Sequence, residues 1–286
     1  MTTYLVTGAS GHLGRLVVHA LLERGVAPGD VVATARDTAT VTDLADLGVV
    51  TRTADYTDPA SLQEAFAGVD RALLVSSSAV GERVPQHAHV IDAARDAGVE
   101  LLAYTSITGA DTSTMALAGE HRETEELLAA SGVPTVVLRN SWYLENYTGQ
   151  IATALEHSAV LGASGDGRVS AATRADYADA AAAALVADGQ AGLVHELGGD
   201  TAFTLAEYAD ALSAETGTEV VYRDLPAEEL VTVLVGAGLP EAYAGVLADS
   251  DLGRARGELR TDSGDLSRLT GRPTTTVAEA IRAALA

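Results

Sequence analysis

The chain has 286 residues, 47% hydrophobic and only 4% aromatic, so it can bury the core of a large α/β unit and lacks the composition of an all-β sandwich. The chain has forty acidic residues and eighteen basic ones, all arginine. The resulting net charge of −22 argues against binding to nucleic acid or anionic membranes. Cysteine and lysine are absent, which excludes disulfides, thiolate metal sites, cysteine nucleophiles and catalytic lysines.

Nothing in the sequence indicates a membrane or secretory segment. No apolar run approaches the roughly 20 residues that a transmembrane helix needs. The strand-like TYLVT follows Met1 almost directly, so we expect no signal segment and predict a cytoplasmic protein without membrane insertion. The oligomeric state stays open, a homodimer included.

The first half alternates short apolar runs with amphipathic segments, which predicts βαβ units and a doubly wound parallel sheet of the Rossmann type. YLVT leads through TGASGHLG into a helix whose apolar face is Leu13, Leu16, Val17, Ala20 and Leu21. Further strands are predicted at 31–35, 49–54, 72–76, 101–106 and 135–139. Asp58 and Pro59 mark the start of one connecting helix as its N-cap and first residue.

The pattern changes after Trp142. A turn-rich stretch at 162–167 precedes an alanine-rich helix at 175–187, which we expect Asp176 to cap, and 193–197 is expected to add a strand. Capping boxes begin helices at Thr204 and Thr276, and 226–236 and 239–248 are also predicted helical. We divide the chain into an NAD(P)-binding Rossmann domain (1–155) and a remainder (156–286) that supplies a sheet edge and a smaller, mainly helical substrate-side lobe, interleaved with the first.

The glycine-rich stretch is the first candidate site. Gly8, Gly11 and Gly14 follow a strand and open a helix, where such glycines permit a tight turn, close approach of backbone to a pyrophosphate, and close helix packing. The N–H groups at the helix start would face the phosphates. The alternative is an ordinary glycine-rich turn. We predict that the cofactor is held here, by Thr7, Gly8, Ser10, Gly11, His12, Leu13 and Gly14.

The end of the second strand indicates which dinucleotide binds. An acidic residue there bonds the ribose 2′-hydroxyl of NAD, whereas an arginine accommodates a 2′-phosphate. The strand VVATA is followed by Arg36 and then by Asp37, so we predict that the protein binds NADPH (NADP). A solvated Arg36, with Asp37 facing the ribose, is the alternative.

Six stretches carry a family resemblance. They are TGASGHLG, the Arg36 strand end, LLVSSS (73–78), AYTSITGADTS (103–113), LRNSWYLENY (138–147) and SAATRADYADAAA (170–182). Together they resemble the NmrA-like branch of the atypical short-chain dehydrogenases, and more closely the bacterial type 2 NAD(P)H:quinone oxidoreductases. The likeness runs from residue 4 to the GRPTTT near the C-terminus. It implies hydride transfer from NADPH directly to a small-molecule quinone. No residue pattern indicates a flavin, and we expect neither flavin nor metal.

The resemblance also implies roles for individual residues. It puts Ser76 and Ser77 beside the cofactor ribose, and His121 where other NmrA-like members carry a lysine. The candidate catalytic residues are His121, Tyr104, Trp142 and Asn140. Cofactor contacts are further expected from Tyr104, Thr105 and Ser106 on the strand under the nicotinamide, and from Asn140 and Tyr143 lining the cleft. His87 and His89, at i and i+2 on a helix, are interpreted as structural.

The missing lysine bears on the substrate class. Reduction of an isolated ketone produces a basic alkoxide. Ketone reductases protonate this alkoxide with a tyrosine whose pKa is lowered by a nearby cation. A quinone gives a delocalised hydroquinone anion, which position and hydrogen bonds can stabilise. Two alternatives remain open: a non-catalytic NmrA-like regulator that senses NADP(H) and reports to a protein partner, and a reductase of another activated acceptor such as an enone.

Overall fold

A seven-stranded parallel sheet forms the centre of the computed structural model, which describes residues 1–286. The strands of the chain are β1 (Tyr4–Val6), β2 (Val31–Ala35), β3 (Val50–Thr53), β4 (Arg71–Leu74), β5 (Leu101–Ile107), β6 (Thr135–Asn140), β7 (Ala159–Gly162), β8 (Val194–Leu197) and β9 (Val221–Asp224). The central sheet has the order β3-β2-β1-β4-β5-β6-β8, and β7 pairs with β9 in a separate parallel sheet. The predicted doubly wound Rossmann architecture is confirmed.

Helices cover both faces of this sheet. They are α1 (His12–Glu23), α2 (Thr42–Asp46), α3 (Pro59–Phe66), α4 (Arg83–Ala97), α5 (Ala116–Ala130), α6 (Glu145–Thr148), α7 (Ile151–His157), α8 (Arg174–Val186), α9 (Leu205–Thr216), α10 (Ala227–Gly236), α11 (Glu241–Ala255), α12 (Asp265–Thr270) and α13 (Val277–Leu285). One core cluster joins the sheet to α1 and α8, and a second joins it to α3, α4 and α5. None of the helices is both long and apolar enough to cross a membrane.

Strand β5 is buried along its whole length because helices pack on both of its faces. Successive side chains alternate between the faces, so Tyr104 belongs to the core under α4 and α5, whereas its neighbour Ala103 belongs to the core under α1 and α8. This alternation also decides which polar side chains of the strand lie beside α5.

The second half of the chain contributes to both parts of the molecule. Helix α8 packs on α1, and β8 extends the central sheet beside β6. This confirms the strand predicted at 193–197. The boundary predicted at residue 155 lies inside α7. The second lobe is mainly helical, as predicted, and it also contains the strand pair β7 and β9, which the sequence analysis did not predict. Each of these strands is only four residues long and partly exposed, so it lacks a distinctive apolar run.

The expectation that Asp176 caps α8 is wrong. Thr173 is the N-cap, and its hydroxyl accepts a hydrogen bond from the N–H of Asp176 at 3.1 Å. Asp176 is buried in the first turn and binds the C-terminal segment instead: its carboxylate accepts from Nη1 of Arg272 at 2.7 Å and from the N–H of Thr275 at 3.1 Å. It therefore ties α8 to the segment before α13.

Candidate active site

The glycine loop between β1 and α1 has the geometry expected of a pyrophosphate-binding turn. Gly8 has a φ of +61°, and its carbonyl accepts from the N–H of Gly11 at 2.9 Å. A Cβ on Gly14 would lie 2.5 Å from that carbonyl oxygen, so only glycine allows the helix to approach so closely. Gly11 is the N-cap of α1 and offers no side chain to the first-turn N–H groups. Those donors are left for an anionic ligand.

The exposed rim of this loop is formed by Ser10, Gly11 and His12. Leu13 and Gly14 are buried, and the Leu13 side chain is part of the core between α1 and the sheet. Of the predicted loop residues, the rim positions are thus open to a ligand, while Leu13 and Gly14 shape the loop from beneath.

The hydroxyl of Thr7 holds the loop to the neighbouring strand. It donates to the carbonyl of Leu73 at 2.9 Å and accepts from the N–H of Val75 at 2.9 Å and from the hydroxyl of Tyr56 at 2.5 Å. Three protein partners leave this hydroxyl fully engaged. Sequence reasoning missed Tyr56, whose signal is its place three residues after the end of β3, at the same edge of the sheet as the loop.

Arg36 stands exposed after β2 and forms no ion pair or hydrogen bond within the protein. The carboxylate of Asp37 is engaged within its own turn: it accepts from the N–H of Ala39 at 2.9 Å and caps a short 3₁₀ helix. Hydrogen bonds from Thr57 lower the pKa of Asp55, and the positive charge of Arg36 lowers it further. The guanidinium of Arg36 is therefore available to a phosphate near the ends of β2 and β3.

The segment after β4 runs beside the end of β5. The N–H of Ser76 donates to the Thr105 hydroxyl at 2.9 Å, and the N–H of Ser77 donates to Nε2 of His87 at 2.9 Å. The Ser77 hydroxyl donates to the side-chain oxygen of Gln86 at 2.6 Å. Ser76 and Thr105 thus lie together at the edge of the sheet.

Tyr104 and His121 form a buried pair behind that segment. The Tyr104 hydroxyl lies 2.7 Å from Nδ1 of His121, and Nη1 of Arg83 lies 3.4 Å from Nε2 of the same ring. A guanidinium can only donate, so Nε2 accepts, and the proton on Nδ1 is donated to Tyr104. Burial lowers the pKa of His121 from 6.5 to about 3, and the positive charge of Arg83 acts in the same direction. The imidazole is neutral near pH 7.

His87 is a second neutral histidine, next to Tyr104, that hydrogen-bonds two protein groups through its two ring nitrogens. Because its Nε2 accepts from Ser77, its Nδ1 carries the proton and donates to the hydroxyl of Thr124 at 2.9 Å. Burial lowers the pKa of His87 from 6.5 to about 4, and the charge of Arg83 acts in the same direction. His89 binds the carbonyl of Tyr56 at 2.8 Å through Nδ1. Both histidines thus bind protein groups, in agreement with a structural role.

Ser106 points from β5 toward α5 and joins an ionic cluster. Its hydroxyl donates to Glu125 at 2.5 Å, and Arg139 binds both oxygens of that carboxylate at 3.0 and 2.6 Å. Nη1 of Arg139 also lies 2.9 Å from Glu196 on β8. The structure therefore separates Ser106 from Thr105, which faces the segment after β4.

The residues after β6 supply the opposite side of the site. Asn140 is buried, and its Oδ1 has no hydrogen-bond partner in the protein. The Tyr143 ring lies under the guanidinium of Arg174, 4.6 Å from ring centre to Cζ. Trp142 is half-buried and packs against the core cluster of the second lobe. An unpaired buried oxygen on this edge indicates a place for a hydrogen-bond donor from a ligand.

The structure thus brings together the glycine loop, Arg36, Ser76, Thr105, Asn140 and Tyr143 at the carboxyl edge of β1, β2, β4, β5 and β6, where open α/β sheets bind ligands. It places Tyr104 and His121 beneath this edge. Sequence reasoning missed Arg83, which shares one face of α4 with His87, four residues later. No group of three or more His, Asp or Glu side chains is arranged to hold a metal ion.

Comparisons with known proteins agree with this geometry. The profile of the NAD(P)H-binding family matches residues 8–188. The chain is 48% identical to quinone oxidoreductase 2 of Escherichia coli (strain K12) over 276 residues, 96% of each protein. The crystal structure of the E. coli NADPH-dependent quinone oxidoreductase complexed with NADPH superposes with a TM-score of 0.97, at 46% identity over 99% of this chain and 100% of that one. Citrobacter triphenylmethane reductase complexed with NADP(H) gives 0.94 at 36% identity, over 99% and 100%.

Proposed function

Because the chain belongs to the NAD(P)H-binding family, in its NmrA-like, atypical short-chain dehydrogenase branch, we propose that it reduces quinones with NADPH by direct hydride transfer, without flavin. The observation that carries the proposal is the whole-chain likeness to quinone oxidoreductase 2 of E. coli, whose crystal structure contains NADPH. The likeness extends over both lobes, so it includes the acceptor side of the cleft as well as the cofactor domain.

The residues of this chain fit NADPH. The first-turn N–H groups of α1, left free by Gly11, suit the pyrophosphate, and the unpaired guanidinium of Arg36 suits the 2′-phosphate. We assign the ribose next to the nicotinamide to Ser76 and Thr105, and a carboxamide donor to the unpaired Oδ1 of Asn140. When bound, NADPH supplies the hydride, which is two electrons and one proton.

The acceptor side of the site suits a quinone. A quinone that gains a hydride becomes a hydroquinone monoanion and then takes one proton from solvent. Burial raises the pKa of the Tyr104 hydroxyl, and His121 is neutral, so neither group is a ready proton source. Hydrogen bonding and positive charge at the reacting oxygen are therefore what the site must supply. Asn140 and Trp142 line the cleft in this proposal, and His121 and Tyr104 support it from beneath.

The direct test is NADPH oxidation by the purified protein, with and without a simple benzoquinone, in the absence of oxygen. We expect NADPH loss to match hydroquinone formation one to one. Tight NADPH binding without turnover would instead favour the sensing regulator, and turnover with an enone but not with quinones would favour the other activated acceptors. A cytoplasmic location and a homodimeric state stay predictions.

A further inference from the structure

Arg83 is a buried cation that the reaction described so far does not use. It is the first residue of α4, and its side chain is only 10% exposed. Its Nε donates to the carbonyl of Ser77 at 2.5 Å, and Nη1 faces Nε2 of His121 at 3.4 Å. Nη2 has no hydrogen-bond partner in the protein and remains in contact with solvent. One amino group of a largely buried guanidinium is thus free.

The positive charge of Arg83 is only partly neutralised. Its sole carboxylate neighbour is Glu120, whose Oε2 lies 4.0 Å from Nε. The other oxygen of Glu120 accepts from the N–H groups of Gly81 and Arg83 at 3.0 and 3.2 Å. Glu120 therefore fixes the segment that carries Arg83 without closing a tight ion pair with its guanidinium. An arginine left in this way retains its capacity to bind an anion.

The guanidinium lies beside the segment that follows β4, at the carboxyl edge of the sheet. Its Nε donates to the segment after β4. Burial raises the pKa of the Tyr143 hydroxyl, and Asn140, Arg174 and, more weakly, Arg83 oppose that rise. Tyr143 follows β6, and β4, β5 and β6 are neighbours in the sheet, so the charge of Arg83 is close to the segments that leave both β4 and β6. The buried, unpaired Oδ1 of Asn140 belongs to the same edge.

We infer that Arg83 is the cation of the acceptor site and that its Nη2 binds the quinone oxygen that becomes negative. The inference rests on the proposed function. In this step a C–H bond of the dihydronicotinamide would break, and the hydride would form an O–H bond at one quinone oxygen. The electrons of the quinone double bonds would shift to the opposite oxygen, which becomes negative and then takes a proton from water, leaving hydroxide. Arg83 keeps its own protons throughout, because a guanidinium does not deprotonate in proteins. The site therefore favours acceptors that are neutral when bound and anionic after reduction.

This role also explains how a chain without lysine supplies a positive charge. His121 holds the place where the resemblance puts a lysine, but it is neutral and buried. Arg83 contacts the far side of the same ring, so His121 links the guanidinium to the hydroxyl of Tyr104 on β5. The positive charge at the site is thus carried by a residue of α4 and not by a residue of α5.

The test compares Arg83→Gln with Arg52→Gln over a series of quinones whose hydroquinones differ in basicity. Arg52 is the matched control, because it also donates to main-chain carbonyls, those of Ala65 and Ala67, but it lies on β3, the outermost strand of the sheet. We expect Arg83→Gln to lower kcat/KM about 10- to 100-fold, as for one charge-assisted hydrogen bond. The loss should grow with hydroquinone basicity, NADPH affinity should stay within about twofold, and Arg83→Lys should recover part of the rate.

An equal loss for every quinone, or no loss, would overturn the role of Arg83 while leaving the proposed function intact. No turnover by the wild type would overturn the proposed function itself. If Arg83→Gln does not fold, the wild type supplies an independent measurement: inhibition by para-nitrophenol at rising pH. A cationic acceptor site binds the phenolate more tightly than the phenol, so inhibition should strengthen as the compound ionises. Weaker inhibition by the phenolate would contradict the inference.

Discussion

The hydroxyl of Tyr104 lies 2.7 Å from Nδ1 of His121, and both side chains are buried between β5 and α5. Nε2 of the ring faces Arg83, which fixes the proton on Nδ1. The histidine is therefore a neutral bridge between a strand and a guanidinium. We propose that His121, which the sequence analysis named as a candidate catalytic residue, positions Arg83 and Tyr104.

We predict that His121→Ala lowers kcat/KM for quinones about tenfold, as expected for the loss of one hydrogen-bonding group, and changes NADPH affinity little. His121→Gln should retain more activity, because its amide oxygen can accept from Arg83. The pH profile separates positioning from acid catalysis. With a pKa of about 3, His121 should add no step to the wild-type profile near 6.5. A step there that disappears in His121→Gln would show that the imidazole transfers a proton.

Local patterns predicted the parts of the site that lie close together in the sequence. The glycine loop and Arg36 each follow a strand with a recognisable apolar run. Their place at the carboxyl edge of the sheet could therefore be predicted from the alternation of apolar strands and amphipathic helices along the sequence. Arg83 and His121 are separated by 38 residues, and Tyr56 and Thr7 by 49. Such pairs depend on how α4, α5 and β3 pack, and neither residue of a pair carries a pattern that points to the other.

The glycine loop offers a matched pair of substitutions. Gly11 has extended backbone (φ −84°), and an added Cβ would meet only the Gly8 oxygen, at 3.3 Å, so we expect Gly11→Ala to fold normally. At the rim it should obstruct the pyrophosphate and lower NADPH affinity at least about tenfold. Gly14→Ala puts a methyl group 2.5 Å from the same oxygen and should reduce the free energy of unfolding by about 1–3 kcal/mol.

These two expectations are checked by NADPH titration and by chemical unfolding of the same variants. The assignment of Gly11 to the pyrophosphate fails if Gly11→Ala binds NADPH like the wild type. Equal destabilisation by both substitutions would contradict the distinction between the rim and the buried base of the loop.

Arg36 should determine the preference for NADPH over NADH. Its guanidinium has no protein partner, and one charge-assisted bond to the 2′-phosphate is worth about 1.5–3 kcal/mol, which gives a ratio of kcat/KM of at least about ten. Arg36→Ala should bring that ratio close to one. Asp37→Ala is the control, because its carboxylate caps its own turn at Ala39 and should not repel the phosphate. A high ratio that survives in Arg36→Ala would reject the assignment.

The buried histidines should make the protein sensitive to mild acid. The pKa of His87 falls from 6.5 to about 4 on folding, so between these values the unfolded chain binds a proton that the folded chain does not. Stability is then complete above pH 6.5 and is lost as the pH falls toward 4. At 1.36 kcal/mol per pKa unit, His87 alone accounts for about 3 kcal/mol across this range.

The measurement is the free energy of unfolding by urea at several pH values in this range, for the wild type, His87→Asn and His157→Asn. The carboxylates also respond to acid, but they are common to all three proteins, so the difference between the pH slopes isolates one histidine. His157 is exposed at the end of α7 and serves as the control. We expect His157→Asn to follow the wild type and His87→Asn to lose less stability toward pH 4. Identical slopes in all three would mean that His87 does not stay neutral in the folded protein.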